Sequence, residues 1–395
     1  MTEAPTSEES TSATDGERGA DVPAGDNSVT QGKVLALVAG ALVLVALGVG
    51  YLMWASGRVD DDIAAREARA QAAIEAFEES EVASAVDDAA EPAPGAAAFA
   101  DTIEFEPGSV LVVNRVPGDD YGRLAVRNPD GSRELFDRRC MRVHVAGDRG
   151  VCLSQDESVF APAFRTEFFD LSTADLPEIR SYASPLPSRA RMTPDGSRAS
   201  TTGFVSGSSY ADIGGETETI VIFDEVEQAS GLVGLVQFEV LGDDAKYQAA
   251  DRQFWGVTFT DTDRFHVTGY FGDEPEILTG SFDSKTLEPT GYLGSCPSIS
   301  PDGRHLVFKE TLDDGDYALT AVDLTTGEQW TLGETRSVDD QVEWLDNDTI
   351  LYAIHPDGDD GTDVQPQFDI WMLDIAPGSE PELFLPAADS PAVLR

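Results

Sequence analysis

The alternation of apolar and polar residues divides the first hundred residues into a tail, an apolar run and a polar stretch. Residues 1–33 are rich in Ser, Thr, Glu, Asp, Gly and Ala, with almost no large apolar side chain. They cannot bury enough surface to offset the entropy lost on ordering, which predicts a disordered acidic tail. Residues 34–55 are uncharged and apolar. As a helix they would extend about 33 Å, enough to cross a hydrocarbon core of about 30 Å, so we predict a transmembrane helix.

Two alternatives for this apolar run stay open. A cleavable signal peptide is compatible with Ala55 and Gly57, although the long acidic leader and the length of the run argue against it. A buried core helix would be shorter and less uniformly apolar. The flanking charges lean slightly against an outward C-terminus, since Arg18 and Lys33 precede the run and three arginines follow it. Because long domains translocate largely regardless of such charges, we expect a single-pass cell-membrane protein with a cytoplasmic N-terminus and an extracytoplasmic C-terminal domain.

Residues 56–99 are predicted to form a helical stalk followed by a linker. Ile63, Ala70, Ile74 and Phe77 recur at helical spacing among Ala, Glu and Arg. A coiled-coil seam would have the same spacing, but one or two heptads made mostly of Ala rarely hold two chains together. The sequence EPAPGAAA then breaks the helical pattern. The oligomeric state is left open by this pattern.

Residues 100–395 change to short runs rich in β-branched and aromatic residues, separated by Gly, Asp, Asn and Pro. This pattern is typical of strands and turns, and no convincing amphipathic helix interrupts it. The clearest runs are Ser109 to Arg115, Met141 to Ala146, Thr219 to Val226, Phe265 to Phe271, Leu306 to Glu310, Thr349 to Ile354 and Phe368 to Ile375. The C-terminal region is therefore predicted to be all-β.

A four-strand unit repeats along this region. Its clearest copy, Ser298 to Leu332, reads as four strands joined by a PDG turn, an acidic hairpin and a TTGE turn. Pro sets φ for a turn, Asp can bond the nearby backbone and Gly accepts a positive φ. The two PDG turns, which we assign as structural, are Pro194, Asp195 and Gly196, and Pro301, Asp302 and Gly303. Fainter copies span 109–136, 141–182, 191–226, 257–292 and 342–385.

Six such units predict a six-bladed β-propeller of four-stranded antiparallel blades, because no single unit can bury its own apolar face. Five or seven blades are not excluded by the pattern. The strand that closes the ring is also not evident, and Asp101 to Phe105 is one candidate to complete the final sheet.

The PDG-containing units resemble the blades of TolB-type six-bladed β-propellers. The likeness is best in Ser298 to Leu332 and fair in Arg191 to Val226, and it covers most of residues 103–390. It does not include the N-terminal α/β domain that periplasmic TolB carries. The blades also resemble the prolyl-oligopeptidase propeller, but the chain leaves no room for a hydrolase domain. The resemblance implies a docking surface for another protein.

The charge balance excludes one class of partner. The chain has 73 acidic and 26 basic residues, for a net charge of −47. Nothing in such a chain would neutralise phosphates in general, so we expect no nucleic-acid binding. The same balance argues against docking onto anionic lipids. The acidity is adequately explained by solubility and self-repulsion.

No catalytic, cofactor or metal site is predicted. The chain lacks G-x-S-x-G, and Gly203 to Gly215 reads as a flexible hairpin loop. The acidic loops Leu312 to Asp316 and His355 to Asp363 lack EF-hand spacing and are interpreted as solvated turns. Asp195 and Asp302 are the carboxylates that a propeller lyase or glycosidase would use, but turn chemistry explains both. The four histidines, none of them paired at metal-binding spacing, are His144, His266, His305 and His355.

Three cysteines permit one disulfide. In an oxidising compartment Cys140 and Cys152 are the natural pair, which leaves Cys296 over. A tight hairpin at 146–150 would place Cys152 opposite about residue 145, and Cys140 would then lie about 17 Å away. The pairing therefore needs a bulge or a looser loop.

We expect a membrane-anchored, extracytoplasmic β-propeller that acts as a protein- or peptide-binding scaffold of the cell envelope, rather than an enzyme. Its partner would be an extracytoplasmic or membrane protein. The alternatives are a carbohydrate-active enzyme of the propeller lyase or glycosidase kind, and an envelope ligand sensor.

Overall fold

The computed structural model describes residues 105–156, 163–204, 217–223, 232–249, 252–272, 274–313, 315–355 and 365–395. The predicted tail, transmembrane helix and stalk, residues 1–99, lie outside these ranges. Within the described part of the chain, no helix has the length and apolar character needed to cross a membrane.

Short strands rich in Val, Ile, Phe and Thr account for most of the described residues. The first three blades and the link after them contain β1 (Val110–Asn114), β2 (Arg123–Arg127), β3 (Arg133–Arg139), β4 (Arg142–Ala146), β5 (Arg149–Asp156), β6 (Ala163–Asp170), β7 (Glu178–Ser184), β8 (Leu186–Met192), β9 (Arg198–Phe204), β10 (Thr217–Phe223), β11 (Leu232–Gly234) and β12 (Glu239–Val240). The remaining strands are β13 (Gln253–Phe259), β14 (Arg264–Tyr270), β15 (Glu276–Ser281), β16 (Thr286–Leu293), β17 (Ser295–Ile299), β18 (His305–Thr311), β19 (Tyr317–Asp323), β20 (Gln329–Thr331), β21 (Glu343–Trp344), β22 (Thr349–Ile354), β23 (Asp369–Asp374), β24 (Glu382–Leu385) and β25 (Ala388–Val393). Two 3₁₀ turns, Leu235–Gln237 and Ala245–Gln248, lie on either side of β12.

These strands form six sheets, each with four antiparallel strands, and thus the blades of a six-bladed propeller. The fourth blade also carries β12, which pairs in parallel with β16. In blades two to six, the first strand of each blade is the inner one, next to the ring axis. The predicted all-β propeller of four-stranded blades is confirmed.

The last strand of the chain closes the ring. β25 is the inner strand of the first blade and pairs antiparallel with β1, from Val110 opposite Val393 to Asn114 opposite Ala388. The ring is thus closed by β25 and not by Asp101 to Phe105, the segment that the sequence analysis named as a candidate to complete the final sheet. Phe105 packs edge-on against Phe136, with ring centroids 6.2 Å apart, and residues 101–104 lie outside the described ranges.

Most core clusters lie between neighbouring blades, and one, rich in Phe, lies mainly within the fourth blade and the link before it. One cluster joins Leu111 and Leu124 of the first blade to Val143 and Phe169 of the second. Another joins Val307 of the fifth blade to buried side chains of the sixth. Each fully buried Leu, Val or Phe side chain is worth roughly 1.5–3 kcal/mol, so packing between blades stabilises the ring substantially.

A residue with left-handed backbone recurs in three inner strands, where the pairing register shifts by a bulge. These residues are Gly256, Cys296 and Ser390, with φ of 65°, 52° and 51°. The Ser390 hydroxyl accepts a hydrogen bond from the Val143 amide at 2.9 Å and so links the first blade to the second. A side chain on Gly256 would come within 2.9 Å of the Cys296 Cα, so two bulges pack directly on each other.

The two PDG sequences form the turns that follow β8 and β17. In the first, the Asp195 carboxylate accepts hydrogen bonds from the Ser197 amide and hydroxyl, and Gly196 has φ of 70°. In the second, Asp302 accepts from the Arg304 amide, and Gly303 has φ of 74°.

Cys140 and Cys152 are joined by a disulfide with a Cα–Cα distance of 5.5 Å, and Cys296 is a buried free thiol. The hairpin between β4 and β5 turns at residues 147–148, so Cys152 lies opposite Val143 rather than residue 145. The chain then turns at Met141, whose amide donates to the Leu153 carbonyl. The separation expected from an extended strand was therefore too large.

Burial of His266 leads to a prediction about pH dependence. This histidine lies in β14, and burial lowers the pKa of its imidazole to about 4. The unfolded chain takes up a proton near pH 6.5 and the folded chain does not, so stability falls as the pH falls from about 6.5 to about 4. We expect the wild type to lose about 3 kcal/mol more than His266→Gln over this window, measured by urea unfolding of the full-length protein. Parallel pH profiles would contradict this.

Candidate functional site

A cavity of about 320 Å³ opens where the inner strands end, at one mouth of the central channel. All six inner strands contribute to its wall, through His144, Met192, Phe259, Ile299, Trp344 and Val393. The turns that follow the inner strands form its rim, including Gly147, Pro194, Thr260 and Pro301. The cavity is therefore the point at which every blade meets the axis.

The PDG turns contribute Pro194 and Pro301 to this rim. The aspartate carboxylates of the same turns accept hydrogen bonds from residues within the turns. Hydrogen bonds from Ser300 and Arg304 lower the pKa of Asp302. Burial would raise the pKa of Asp195, but hydrogen bonds from Thr193 and Ser197 outweigh it and lower the pKa. Neither carboxylate lines the cavity.

Four ionisable side chains meet in the wall of the cavity: His144, Glu343, Arg191 and Arg395. Glu343 lies 3.5 Å from the His144 Nε2, 3.8 Å from the Arg191 guanidinium and 3.3 Å from that of Arg395. Burial would raise the pKa of Glu343, but these three neighbours lower it to about 2. Glu343 is therefore a fixed negative charge surrounded by donors.

His144 is held in one orientation. Its Nδ1 accepts a hydrogen bond from the Met192 amide at 3.1 Å, and its Nε2 faces Glu343. Burial lowers the pKa of the imidazole, although Glu343 acts in the opposite direction. Both ring nitrogens thus have partners within the protein, and the ring links the second, third and sixth blades.

Below the cavity, polar side chains cross the ring. The Arg191 guanidinium, from the third blade, donates to the carbonyls of Gln341 and Val342 at 2.9 Å, on the opposite side. The Gln341 amide donates to the carbonyls of Val257 and Pro297, at 3.1 and 2.7 Å. These bonds join four blades across the axis.

The structure places the other candidate residues away from this cavity. His266 and His305 lie in the second strands of the fourth and fifth blades, and His305 packs edge-on against Trp330. In the turn between β18 and β19, the Leu312 amide donates a hydrogen bond to the Asp316 carbonyl, as expected for a solvated hairpin. Most of the loops 203–215 and 355–363 lie outside the described residues. Within the described ranges, no group of three or more His, Cys, Asp or Glu side chains is arranged to hold a metal.

The sequence reasoning missed the groups that cross the channel: Arg191, Gln341 and Glu343. Arg189 and Arg191 stand two residues apart in the inner strand β8, so they face the same side of it. These charged residues at alternate positions of an otherwise buried strand are the sequence feature that could have revealed Arg191 as a channel residue. Nothing local marks Gln341 and Glu343, because their role depends on ring closure.

The comparisons with known proteins bear on the fold alone. No protein-family model matches the chain, and no curated protein matches its sequence. Among solved structures, the chain is similar to TolB from Acinetobacter baumannii, with 17% identity, a TM-score of 0.49, and coverage of 72% of this chain and 66% of that one. It is also similar to a puromycin-hydrolysing peptidase of Mycobacterium tuberculosis, with 13% identity, a TM-score of 0.45, and coverage of 72% and 45%.

An oligogalacturonate lyase in complex with manganese is a third similar structure, with 11% identity, a TM-score of 0.42, and coverage of 66% of this chain and 73% of that one. The chain spans less than two thirds of the length of the TolB protein and of the peptidase. The similar structures include a TolB protein and enzymes, so they do not distinguish binding from catalysis.

Removal of the Glu343 charge is predicted to change the titration of His144. In Glu343→Gln, burial and the two arginines would act on the imidazole without the carboxylate that opposes them. We therefore expect the pKa of His144 to fall further, as measured by NMR titration of the histidine ring. Glu288→Gln, in an exposed position of β16, is the matched control and should leave the His144 titration unchanged. A raised pKa in Glu343→Gln would contradict the assignment.

Proposed function

We propose that this propeller is a binding module, and that a protein or peptide segment inserts into the cavity at the mouth of the channel. The observation that carries the proposal is the cavity itself, which all six inner strands line and in which the ionisable side chains are bonded to one another. Such a wall recognises a ligand by shape and hydrogen bonding.

The lining suits a side chain that has an apolar body and a polar tip. Met192, Phe259 and Ile299 offer apolar surface, and hydroxyl groups lie beside them. Trp344 is 2% exposed, and its indole Nε1 has no hydrogen-bond partner among the described residues. A buried donor of this kind is costly unless a ligand or water accepts from it. A peptide carbonyl or a side-chain oxygen would meet that need.

The same geometry argues against hydrolysis or elimination in this cavity. A glycosidase uses two carboxylates, one of which keeps its proton. The wall contains one acidic side chain, Glu343, whose pKa lies at about 2. His144 is the other candidate base, but its ring nitrogens already contact Met192 and Glu343. These features favour a binding module over a carbohydrate-active enzyme.

We further propose that the propeller is held outside the cell membrane by the apolar run 34–55, with residues 56–99 as the spacer. The disulfide between Cys140 and Cys152 supports an oxidising compartment, in which such bonds persist. The partner would then be an extracytoplasmic or membrane protein of the cell envelope.

A blocked cavity is predicted to abolish partner capture. Thr260 is exposed at the rim, and Thr260→Arg would place a long cation over the opening. We expect crosslinking and pull-down from membranes to recover a stoichiometric protein partner with the wild type and at least tenfold less with Thr260→Arg, a loss of about 1.4 kcal/mol. Thr331→Arg, on the exposed outer strand β20, is the matched control and should retain the partner. Equal loss in both variants, or turnover of a glycan by the wild type, would contradict the proposal.

Protease accessibility tests the proposed topology. Treatment of intact cells should remove the propeller and leave the acidic leader, residues 1–33, protected behind the membrane. Antibodies against epitopes placed at each end of the full-length protein would report the two fragments. Protection of the propeller with loss of the leader would refute the orientation.

A further inference from the structure

The cavity at the mouth of the channel contains a hydroxyl group that the protein itself does not use. Ser298 lies in β17 of the fifth blade, lines the cavity and is 2% exposed. Its hydroxyl forms no hydrogen bond with the described residues, yet it is not one of the fully enclosed polar atoms. Because the residue lies in the cavity wall, the small accessible part of this hydroxyl faces the cavity.

Two further hydrogen-bond donors lie in the neighbouring blades. The Thr258 hydroxyl, in β13 of the fourth blade, accepts a hydrogen bond from the Ile299 amide at 3.2 Å, so its own proton remains to be donated. The Trp344 indole Nε1, in β21 of the sixth blade, is buried without an acceptor in the described part of the chain. Both residues line the cavity. Three consecutive blades therefore each bring a neutral donor to this wall.

The charged groups of the same wall already have partners. Glu343 lies within 3.8 Å of His144, Arg191 and Arg395. The Arg191 guanidinium also donates to two backbone carbonyls across the ring, and the Arg395 guanidinium donates to the Trp344 carbonyl. A charged ligand group would lose its hydration and would have to displace these bonds, which is costly in a buried site. A neutral acceptor needs only the donors that the protein leaves unused.

The channel is bridged by side chains beneath the cavity. The Gln341 amide, on the segment that leads into β21, donates to the carbonyls of Val257 and Pro297 at 3.1 and 2.7 Å. Arg191 reaches the same segment from the third blade. Ser295, at the opposite end of β17, does not line the cavity. A ligand therefore enters and leaves through one opening, so a loop tip or a chain end fits this space better than a threaded strand.

We propose that the cavity takes the uncharged tip of a β-turn from the partner, and that Ser298, Thr258 and Trp344 determine this specificity by donating to its carbonyl oxygens. This ligand class rests on the proposed binding function and makes it more specific. A free chain end would bring a charge, whereas a turn brings carbonyls that its own hydrogen bond between the first and fourth residues leaves unused. The cavity of about 320 Å³ has the volume of about ten water molecules, which suits the central residues of one turn.

A minimal turn serves as the probe. N-acetyl-Pro-Gly-N-methylamide is neutral and favours a type II turn, because Pro sets φ at the first central position and Gly accepts a positive φ at the second. We expect it to bind the full-length wild type saturably in the millimolar range, as is usual for so small a ligand. It should bind at least tenfold more tightly than two charged analogues, the free acid N-acetyl-Pro-Gly and the free amine Pro-Gly-N-methylamide.

NMR of isotope-labelled tryptophan measures this binding. The indole N–H signal of Trp344, identified by its loss in Trp344→Phe, should move downfield as the probe accepts a hydrogen bond from it. Equal affinity for the neutral probe and either charged analogue would contradict the selection of an uncharged ligand. Absence of saturable binding of the neutral probe would overturn the proposal.

Two serines of one strand provide the decisive variant and its control. Ser298→Ala removes a donor that has no other role among the described residues, and we expect about a fivefold loss of probe affinity, the value of one neutral hydrogen bond. Ser295→Ala, at the other end of β17 and 5% exposed, should leave the affinity unchanged. Circular dichroism verifies that each variant is folded. Equal affinities in the two variants would refute the role of Ser298.

Partner capture separates this inference from the proposed function. We expect Ser298→Ala to recover about fivefold less of the crosslinked partner than Ser295→Ala does. If the partner is lost in Thr260→Arg but recovered in full by Ser298→Ala, the cavity binds a protein and the proposed turn specificity is wrong. If Thr260→Arg retains the partner, the proposed binding function fails as well.

Discussion

Closure of the ring is the constraint on which the rest of the structure depends. The core clusters join consecutive blades, so a blade without a neighbour would expose one of its apolar faces. The first and last blades satisfy each other only because β25 pairs with β1. Arg133 fixes the segment that immediately precedes β25, since its guanidinium donates to the carbonyls of Pro386 and Ala387. The ring is thus closed by a strand ladder supported by side-chain bonds to the backbone.

Closure also determines the chemistry of the channel. Six inner strands converge on one axis, so a side chain that faces the axis is buried by the opposite blades even when it carries a charge. Charges in that position need partners, because an unpaired buried charge costs several kcal/mol. Arg191 and Gln341 meet this need through backbone carbonyls across the ring, and Glu343 through His144 and two arginines. The polar groups in the channel therefore belong to the fold as well as to any ligand.

The repeat unit could be predicted from the sequence, whereas the residues that line the channel could not. The PDG turns and alternating strands are local features, so Pro301, Asp302 and Gly303 could be assigned to a turn before the structure was known. The closing strand could not be assigned, because its pairing with β1 joins residues almost three hundred positions apart. The same applies to Glu343, whose partners His144 and Arg191 come from distant blades. For Cys140 and Cys152 the error was smaller, since it concerned only the hairpin register and the turn of the chain at Met141.

The two mouths of the channel differ in a way that bears on what each can accept. At the mouth with the cavity, the ionisable groups are bonded among themselves, so a ligand gains little from charge and more from shape. At the other mouth, Asp389 and Asp339 hold arginine and lysine side chains from several blades in ion pairs. Interactions between exposed charges are screened beyond about 8 Å at physiological salt, whereas buried charges are screened much less. A large polyanion must bring many charges within that distance of an acidic surface, which is why we expect no nucleic-acid binding. The prediction that the chain does not bind nucleic acids thus rests on its overall charge and not on the ion pairs inside its channel.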